Sequence, residues 1–303
     1  MRARFQSGTF ADISMLGDAL GWDIGFCQLD PGAASCHARV LAAPDMVICE
    51  PLFDGRYHQL GTPPGDVATF GIPIRALDRW FDQPYATGSI LPFNQAGGID
   101  GFSLRGFRAY TLSVDRSLLE RVAETVGLDV PRLIFEPEST EVISDSPAAR
   151  YLRALLHHTM EIAHQGNSPT WCEDITLALL QAAQTTSAHR DLSSGSQRSQ
   201  ALRLAIDYVD SIEQEILSVA QLCEAVGVSV RTLNRAFNDR FAMGPKAYLA
   251  RRRLSGIRRD LLKAEPDDLV SDLANQWGIW HMGQFARDYR QMFGELPSQT
   301  LAT

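Results

Sequence analysis

In the first third of the chain, apolar residues come in short runs broken by glycine and proline, with no sustained helical period. Between residues 20 and 115 the stretches "DIGFCQLD", "MVICEPLF", "VATFGIPI" and "FRAYTLSV" read as strands, and "GTPPGD" and "NQAGGIDG" as turns between them. Several short strands so punctuated predict a barrel or jelly roll. From Asp115 the spacing becomes helical. "DRSLLERVAETVGL" stops at a Gly127 cap, and "SPAARYLRALLHHTMEIAHQG" and "SPTWCEDITLALLQAAQTT" each open on Ser-Pro, a cap followed by a preset first turn. These two helices hold more apolar positions than one face needs, so they are expected to pack on the barrel or on a second subunit. "AHRDLSSGSQRSQ" is polar and Ser-rich and reads as a linker.

Beyond the linker, apolar positions recur in a repeat of about 51 residues. In Leu217 to Phe237, Ser218 and Gln221 form a capping box, Leu222 and Val226 face a core, Gly227 permits a turn, and Ser229 caps a second helix packed by Leu233 and Phe237. In Leu269 to Tyr289 the matching positions are Leu273, Trp277, Gly278, Phe285 and Tyr289. The pattern is two helix-turn-helix units. Between them "GPKAYLARRRLSGIRRDLLKAEP" predicts one long basic helix, with Pro245 at its start and Pro266 beyond its end. The expected organisation is a sensing and dimerisation domain over residues 1–190 (barrel 20–115, helices 116–187), a linker at 188–200 and an all-α domain over 201–303.

Charge sharpens this picture. The net charge is −8, unusual for a nucleic-acid binder, but the acid excess lies in residues 1–199, with 15 Lys+Arg against 23 Asp+Glu. Within Ser229 to Lys263 there are ten basic residues (Arg231, Arg235, Arg240, Lys246, Arg251, Arg252, Arg253, Arg258, Arg259, Lys263) and two acids. So local a basic strip suggests a phosphate backbone as partner. Five scattered cysteines without a CxxC motif read as reduced thiols. No apolar run is long enough for a membrane span and the N-terminus does not resemble a signal peptide, which points to the cytoplasm.

The C-terminal hundred residues resemble the AraC/XylS family of bacterial transcription regulators. The likeness rests on the paired units and on "FNDRFAMGPKAYLARRRL" and "FARDYRQMFGELPSQ". It implies an α+β protein: a cupin-like β-barrel or jelly-roll sensor with helices, then an all-α double helix-turn-helix domain whose second helices enter successive major grooves of promoter DNA. Carried over by position, the base-facing candidates are Arg231, Asn234 and Arg235 in the first reader and His281, Met282 and Arg287 in the second. Arg suits guanine and Asn suits adenine. The second reader departs from the family's small polar opening, having Trp280, Met282 and Gly283 there. Sequence reading is therefore expected to rest mostly on the first unit. Family likeness also implies a homodimer joined through the helices near Tyr151–Gln165 and Trp171–Thr185, a small-molecule effector, and activation by recruiting RNA polymerase.

"IRALDRW" (Ile74–Trp80) admits two readings, a surface turn with a local arginine to Asp78 pair or a site for an anion. Arg75 and Arg79 have the RxxxR spacing that resembles the arginine motif of PilZ-type receptors for cyclic di-GMP. Trp80 offers a stacking surface, and Ser103 and Gly106 of "GFSLRG" stand where the second half of that motif would lie, with Gly101 in place of its acid or amide. "DISMLG" (Asp12–Gly17) fits the second half fully but precedes the arginines. The ligand candidates are thus Arg75, Arg79, Trp80, Ser103 and Gly106, the effector cyclic di-GMP or another small metabolite. No cofactor is implied. An enzyme is not expected: "GFSLRG" is one residue too long for a GxSxG elbow, and P-loop and GxGxxG motifs are absent. His37, His157, His158 and His164 read as polar positions on a packed helix, not metal ligands, leaving a hydrolase or metal-binding domain tethered to DNA as the alternative class.

Overall fold

The computed structural model describes residues 3–10, 12–65, 67–81, 83–93, 98–136, 141–166, 171–184, 197–212 and 217–302. It divides into two compact units, residues 1–25 with 35–191, and residues 26–34 with 192–303. Residues 185–196, most of the expected linker, lie outside the described residues.

The first unit holds nine strands among its described residues: β1 (Arg4–Phe10), β2 (Asp23–Gln28), β3 (Cys36–Ala43), β4 (Met46–Phe53), β5 (Tyr57–Thr62), β6 (Val67–Trp80), β7 (Gln83–Pro84), β8 (Leu91–Phe93) and β9 (Ile99–Asp115), with the short α1 (Ser14–Ala19) after β1. They form one antiparallel sheet in the order β1-β3-β4-β9-β5-β2, and β6 lies along the other flank of β9. Because β9 takes β4 and β5 end to end on one side and β6 along most of the other, the sheet curls. The expected barrel takes the form of a half-barrel.

The curl is concentrated at one corner. There β6 shifts register three times between Pro73 and Arg79, Ala76 sits at φ 62°, and Gly106 on β9 sits at φ 72°. Left-handed backbone is costly for a residue with a Cβ, so the corner is held by its surroundings. "IRALDRW" is accordingly the bulged end of a 14-residue strand, not a surface turn. The pattern of Arg, Leu and Asp masks a strand because bulges break the two-residue alternation.

One face of the sheet carries Leu41, Ile48, Phe70, Ile72, Tyr110, Leu112 and Val114. It is buried with α2 (Arg116–Val126), α3 (Arg132–Phe135), α4 (Pro147–His164) and α5 (Cys172–Ala183) through Leu118, Leu119, Leu152, Leu156, Met160, Ile175 and Leu179. α2 begins at an Asp115 cap bonded to the Ser117 N–H and ends at left-handed Gly127, and α4 begins at a Ser146 cap followed by Pro147. α5 is different: its cap position is Trp171, which supplies no side-chain bond, and the Ser-Pro expected to start it lies outside the described residues. Within this apolar face Glu50, only 3% exposed, is clamped between Arg39 and Arg108, and Arg39 Nη1 reaches Glu161 Oε1 of α4 at 2.8 Å.

The second unit holds α6 (Gln197–Ser211), α7 (Val219–Val226), α8 (Val230–Phe241), α9 (Pro245–Leu262), α10 (Val270–Gln276), α11 (Met282–Phe293) and α12 (Pro297–Leu301). The caps are those the residues predict: a full Ser218–Gln221 capping box and left-handed Gly227 around α7, Ser229 on the Thr232 N–H at α8, and Pro245 in the first turn of α9. α9 serves two cores. At its N-terminal end Tyr248 stacks on Phe241 at 4.9 Å and meets Phe237 edge-on. At its C-terminal end Ile257 and Leu261 pack with Trp277, Phe285, Tyr289 and Phe293. Residues 26–34 join this unit through Gln28, whose amide nitrogen donates to the carbonyls of Asp30, Gly32 and Met292.

Candidate functional site

The first reading helix, α8, buries Leu233, Ala236, Phe237, Arg240 and Phe241, an i, i+3, i+4 set. Its opposite face shows Arg231, Asn234, Arg235 and Asn238. Arg231 and Arg235 are exposed and extend freely into solvent among the described residues. Asn234 is half-buried, and its amide nitrogen donates to the Val230 carbonyl one turn back at 2.9 Å. That bond uses one of the two amide N–H groups and leaves the other, with Oδ1, for a base edge.

The second reader, α11, starts at His281, whose side chain makes no cap bond. Arg287 is exposed and steadied by Gln284 Oε1 at 2.8 Å, while Gln284 Nε2 donates to Asp288 at 2.6 Å. Met282, expected on the base-facing side, packs instead against the core of the second unit. Met282, Phe285, Tyr289 and Met292 fall at i, i+3, i+7 and i+10, which places all four on the buried stripe. The residue that stands out is Trp280, 69% exposed just before the helix. In the sequence it is one of the residues by which this helix start departs from the family pattern.

The basic strip divides into two groups. Arg231, Arg235 and Lys246 are exposed. Arg258 is buried, with Nη1 donating to Glu295 Oε1 at 2.6 Å and to Thr300 Oγ1 and the Tyr289 hydroxyl at 3.4 Å, and with its guanidinium 4.8 Å above the Phe293 ring. Burial raises the Glu295 carboxyl, and the bonds from Thr300 and Arg258 more than offset it, so its pKa ends below the ordinary 4.5. Arg240 is also buried, and Arg252 is paired with Asp210 at 2.9 Å. Much of the strip is thus internal scaffolding that fixes where the exposed cations stand.

In the first unit, strand pairing brings the ligand candidates to one corner: Arg75 opposite Arg108, Leu77 opposite Ser103, Arg79 opposite Phe102 and Trp80 opposite Gly101. It does not turn them to one side. Arg75 is exposed, and Arg79 lies 3.7 Å from Asp78, so the local pair is long. Trp80 is buried and stacked on Phe93 at 5.1 Å. Ser103 is fully buried and its hydroxyl donates to the Tyr57 carbonyl at 3.3 Å.

His37 is held by Ser7 and Thr9, and His157 by the Tyr110 hydroxyl. Among the described residues no group of three His, Cys, Asp or Glu side chains is arranged to hold a metal. All five cysteines are free. Burial pushes Cys27 and Cys36 up to about 12, and Cys172 to about 11, so they are thiols at neutral pH. No helix of the described residues is long and apolar enough to cross a membrane.

Comparison with known proteins bears on the second unit. A helix-turn-helix domain family matches residues 222–303. The "Probable thc operon regulatory protein" of Rhodococcus erythropolis is 42% identical over 103 residues, 34% of this chain and 31% of that protein. The "XylDLEGF operon transcriptional activator 3" of Pseudomonas putida is 33% identical over 99 residues, 32% of this chain and 29% of that one. The chain thus spans about a third of the length of the curated relatives it matches. Among solved structures, a probable AraC family transcriptional regulator from Rhodopseudomonas palustris is 32% identical, covers 34% of this chain and 94% of its own, and has a TM-score of 0.32. The AraC-like transcriptional activator CuxR covers 89% of this chain and all of its own at 13% identity, with a TM-score of 0.42. In residues 222–303 the chain carries a helix-turn-helix DNA-binding domain of the AraC/XylS family.

Proposed function

We propose that the whole chain is a transcription regulator, acting as an activator through RNA polymerase, whose first unit senses a small molecule and whose second unit binds promoter DNA. The observation that carries this reading is the pair of reading helices: α8 shows Arg231 and Arg235 to solvent and α11 shows His281 and Arg287. Both helices stand on cores that leave those faces uncovered within the unit. Guanidinium groups so presented suit guanine edges and phosphate oxygens. The protein performs no chemistry, and its effector acts by shifting the population of a DNA-competent state of a homodimer. Capture of genomic fragments by the full chain, followed by gel-shift titration, tests the reading. Arg231→Ala and Arg235→Ala each weaken the selected site by about 1–3 kcal/mol, roughly 5- to 150-fold. Failure of the wild-type chain to select any sequence at about 0.1 M salt would sink it.

For the effector, the exposed guanidinium of Arg75 and the nearby Arg79 support an anionic molecule, with cyclic di-GMP as the candidate. Contacts fall to these two arginines and to the backbone at Gly106, since Trp80 and Ser103 are otherwise engaged. Calorimetric titration of the wild-type protein and an Arg75→Ala/Arg79→Ala variant with cyclic di-GMP decides it. Saturable binding lost in the variant supports the nucleotide, and absence of binding by the wild type removes it.

A further inference from the structure

Arg79 and Trp80 are adjacent on a strand and so belong to opposite faces of the sheet. Whatever the arginines meet, Trp80 meets something else. Its ring is 6% exposed, stacked on Phe93, and set against Phe81 edge-on at 5.0 Å. Trp22 closes on Phe93 from another side at 5.6 Å, and Leu91 and Ile99 complete the apolar wall.

Two buried donors in this wall lack acceptors among the described residues: Trp80 Nε1 and Gln59 Nε2. Native proteins satisfy nearly all such groups, and a buried N–H without an acceptor is destabilising, so two on one surface require an explanation. They stand on the same face. Gly101 pairs with Gln59 on β5 and with Trp80 on β6, and cross-strand partners share a side of the sheet. Gly101 puts no side chain between them. A Cβ there would lie 3.9 Å from both Gln59 Cβ and Trp80 Cζ3, in ordinary contact with each. The arrangement combines aromatic walls, room for one methyl group at Gly101 and two buried N–H groups without an acceptor, so a small molecule is seated there only as Gln59 and Trp80 part around it.

We propose that Gln59, Trp80 and the backbone at Gly101 form a ligand site on this inner face, distinct from the arginine corner. It takes an uncharged molecule with a flat apolar body and one accepting oxygen, such as a carbonyl. The class follows from the donors. Both are neutral, and a carboxylate or phosphate held by neutral N–H groups in an aromatic setting would lose more hydration than they return. The inference deepens the sensor reading of the first unit, but its test contains no DNA, so its failure is separable from failure of promoter capture.

The full chain, labelled with 15N at tryptophan, is titrated with acetophenone. Ethylbenzene, which lacks the oxygen, and benzoate, which adds a charge, serve as controls, and Trp80→Phe assigns the Trp80 indole signal. The expected result is a saturable shift of that signal by acetophenone, at least about tenfold weaker with either control, and weakened about tenfold or more by Gln59→Leu and by Gly101→Ala. Without ligand, Gln59→Leu melts above the wild type because it deletes an unpaired donor. The proposal is overturned if none of the three probes shifts the indole, if ethylbenzene matches acetophenone, or if benzoate exceeds it. It is also overturned if Gln59→Leu melts below the wild type while the indole contacts a long-lived water, since the donors would then serve a structural solvent molecule.

Discussion

Gly256 lies in the middle of α9, where a glycine ordinarily costs about 1 kcal/mol relative to alanine. The reason for it is Trp277. A Cβ at residue 256 would sit 2.2 Å from Trp277 Cη2 and 2.4 Å from Cζ2, well inside contact distance. The ring cannot move aside cheaply. It is 5% exposed, and its indole N–H donates to Asp260 Oδ2 at 2.7 Å, on the same helix one turn further along. Gly256→Ala therefore gains about 1 kcal/mol of helix propensity and loses about 1–3 kcal/mol to overpacking. The net is a loss of up to about 2 kcal/mol, confined to the second unit. The sign should reverse once the ring is gone: in a Trp277→Leu background Gly256→Ala should stabilise by about 1 kcal/mol. Thermal unfolding of the full chain, followed by far-ultraviolet circular dichroism, reads both backgrounds. Each kilocalorie corresponds to roughly 4–8 °C for a domain of this size. If Gly256→Ala alone raised the midpoint, or if its effect had the same sign in both backgrounds, the close approach to Trp277 would not be why the residue is glycine.

Two other sites give signed expectations. Glu50→Ala should destabilise the first unit by about 3–5 kcal/mol, because it leaves Arg39 and Arg108 facing each other in the sheet without the carboxylate between them, and a urea titration followed by fluorescence measures the loss. Glu295 has a depressed folded pKa, so its contribution is present above its ordinary value of 4.5 and is lost as pH falls through the lower folded value. The wild-type midpoint should thus drop more steeply below pH 4.5 than that of Glu295→Gln, and parallel curves would refute the assignment.

Much of the second unit could be read from the residues because its signals are local. The Ser218–Gln221 box, Gly227, Ser229 and Pro245 each act within one turn of where they stand. The first unit was less legible. β1 exposes nearly every side chain and carries no alternation, and β6 and β9 continue through Arg- and Gly-rich segments that look like turns because bulges and a left-handed glycine break the period of two. Reading "IRALDRW" as strand would have separated Arg79 from Trp80 at once. Met282 was recoverable too, since its spacing to Phe285 and Tyr289 marks the buried stripe. The burial of Arg258 was not, because its partner Glu295 is 37 residues away in sequence and only tertiary structure brings them together.

α9 has one further consequence. Its 18 residues extend about 27 Å, and its two ends are built into different cores, one under α8 and the other under α11. It acts as a gauge block between the two readers. Inserting a single residue would advance the second reader by about 1.5 Å and swing it by about 100°, facing it away from a groove that the first reader still occupied. Binding-site spacing on the promoter and the length of this helix would then be able to change only in concert, so a lineage can readily exchange the exposed residues that choose bases while the interval between its half-sites stays fixed.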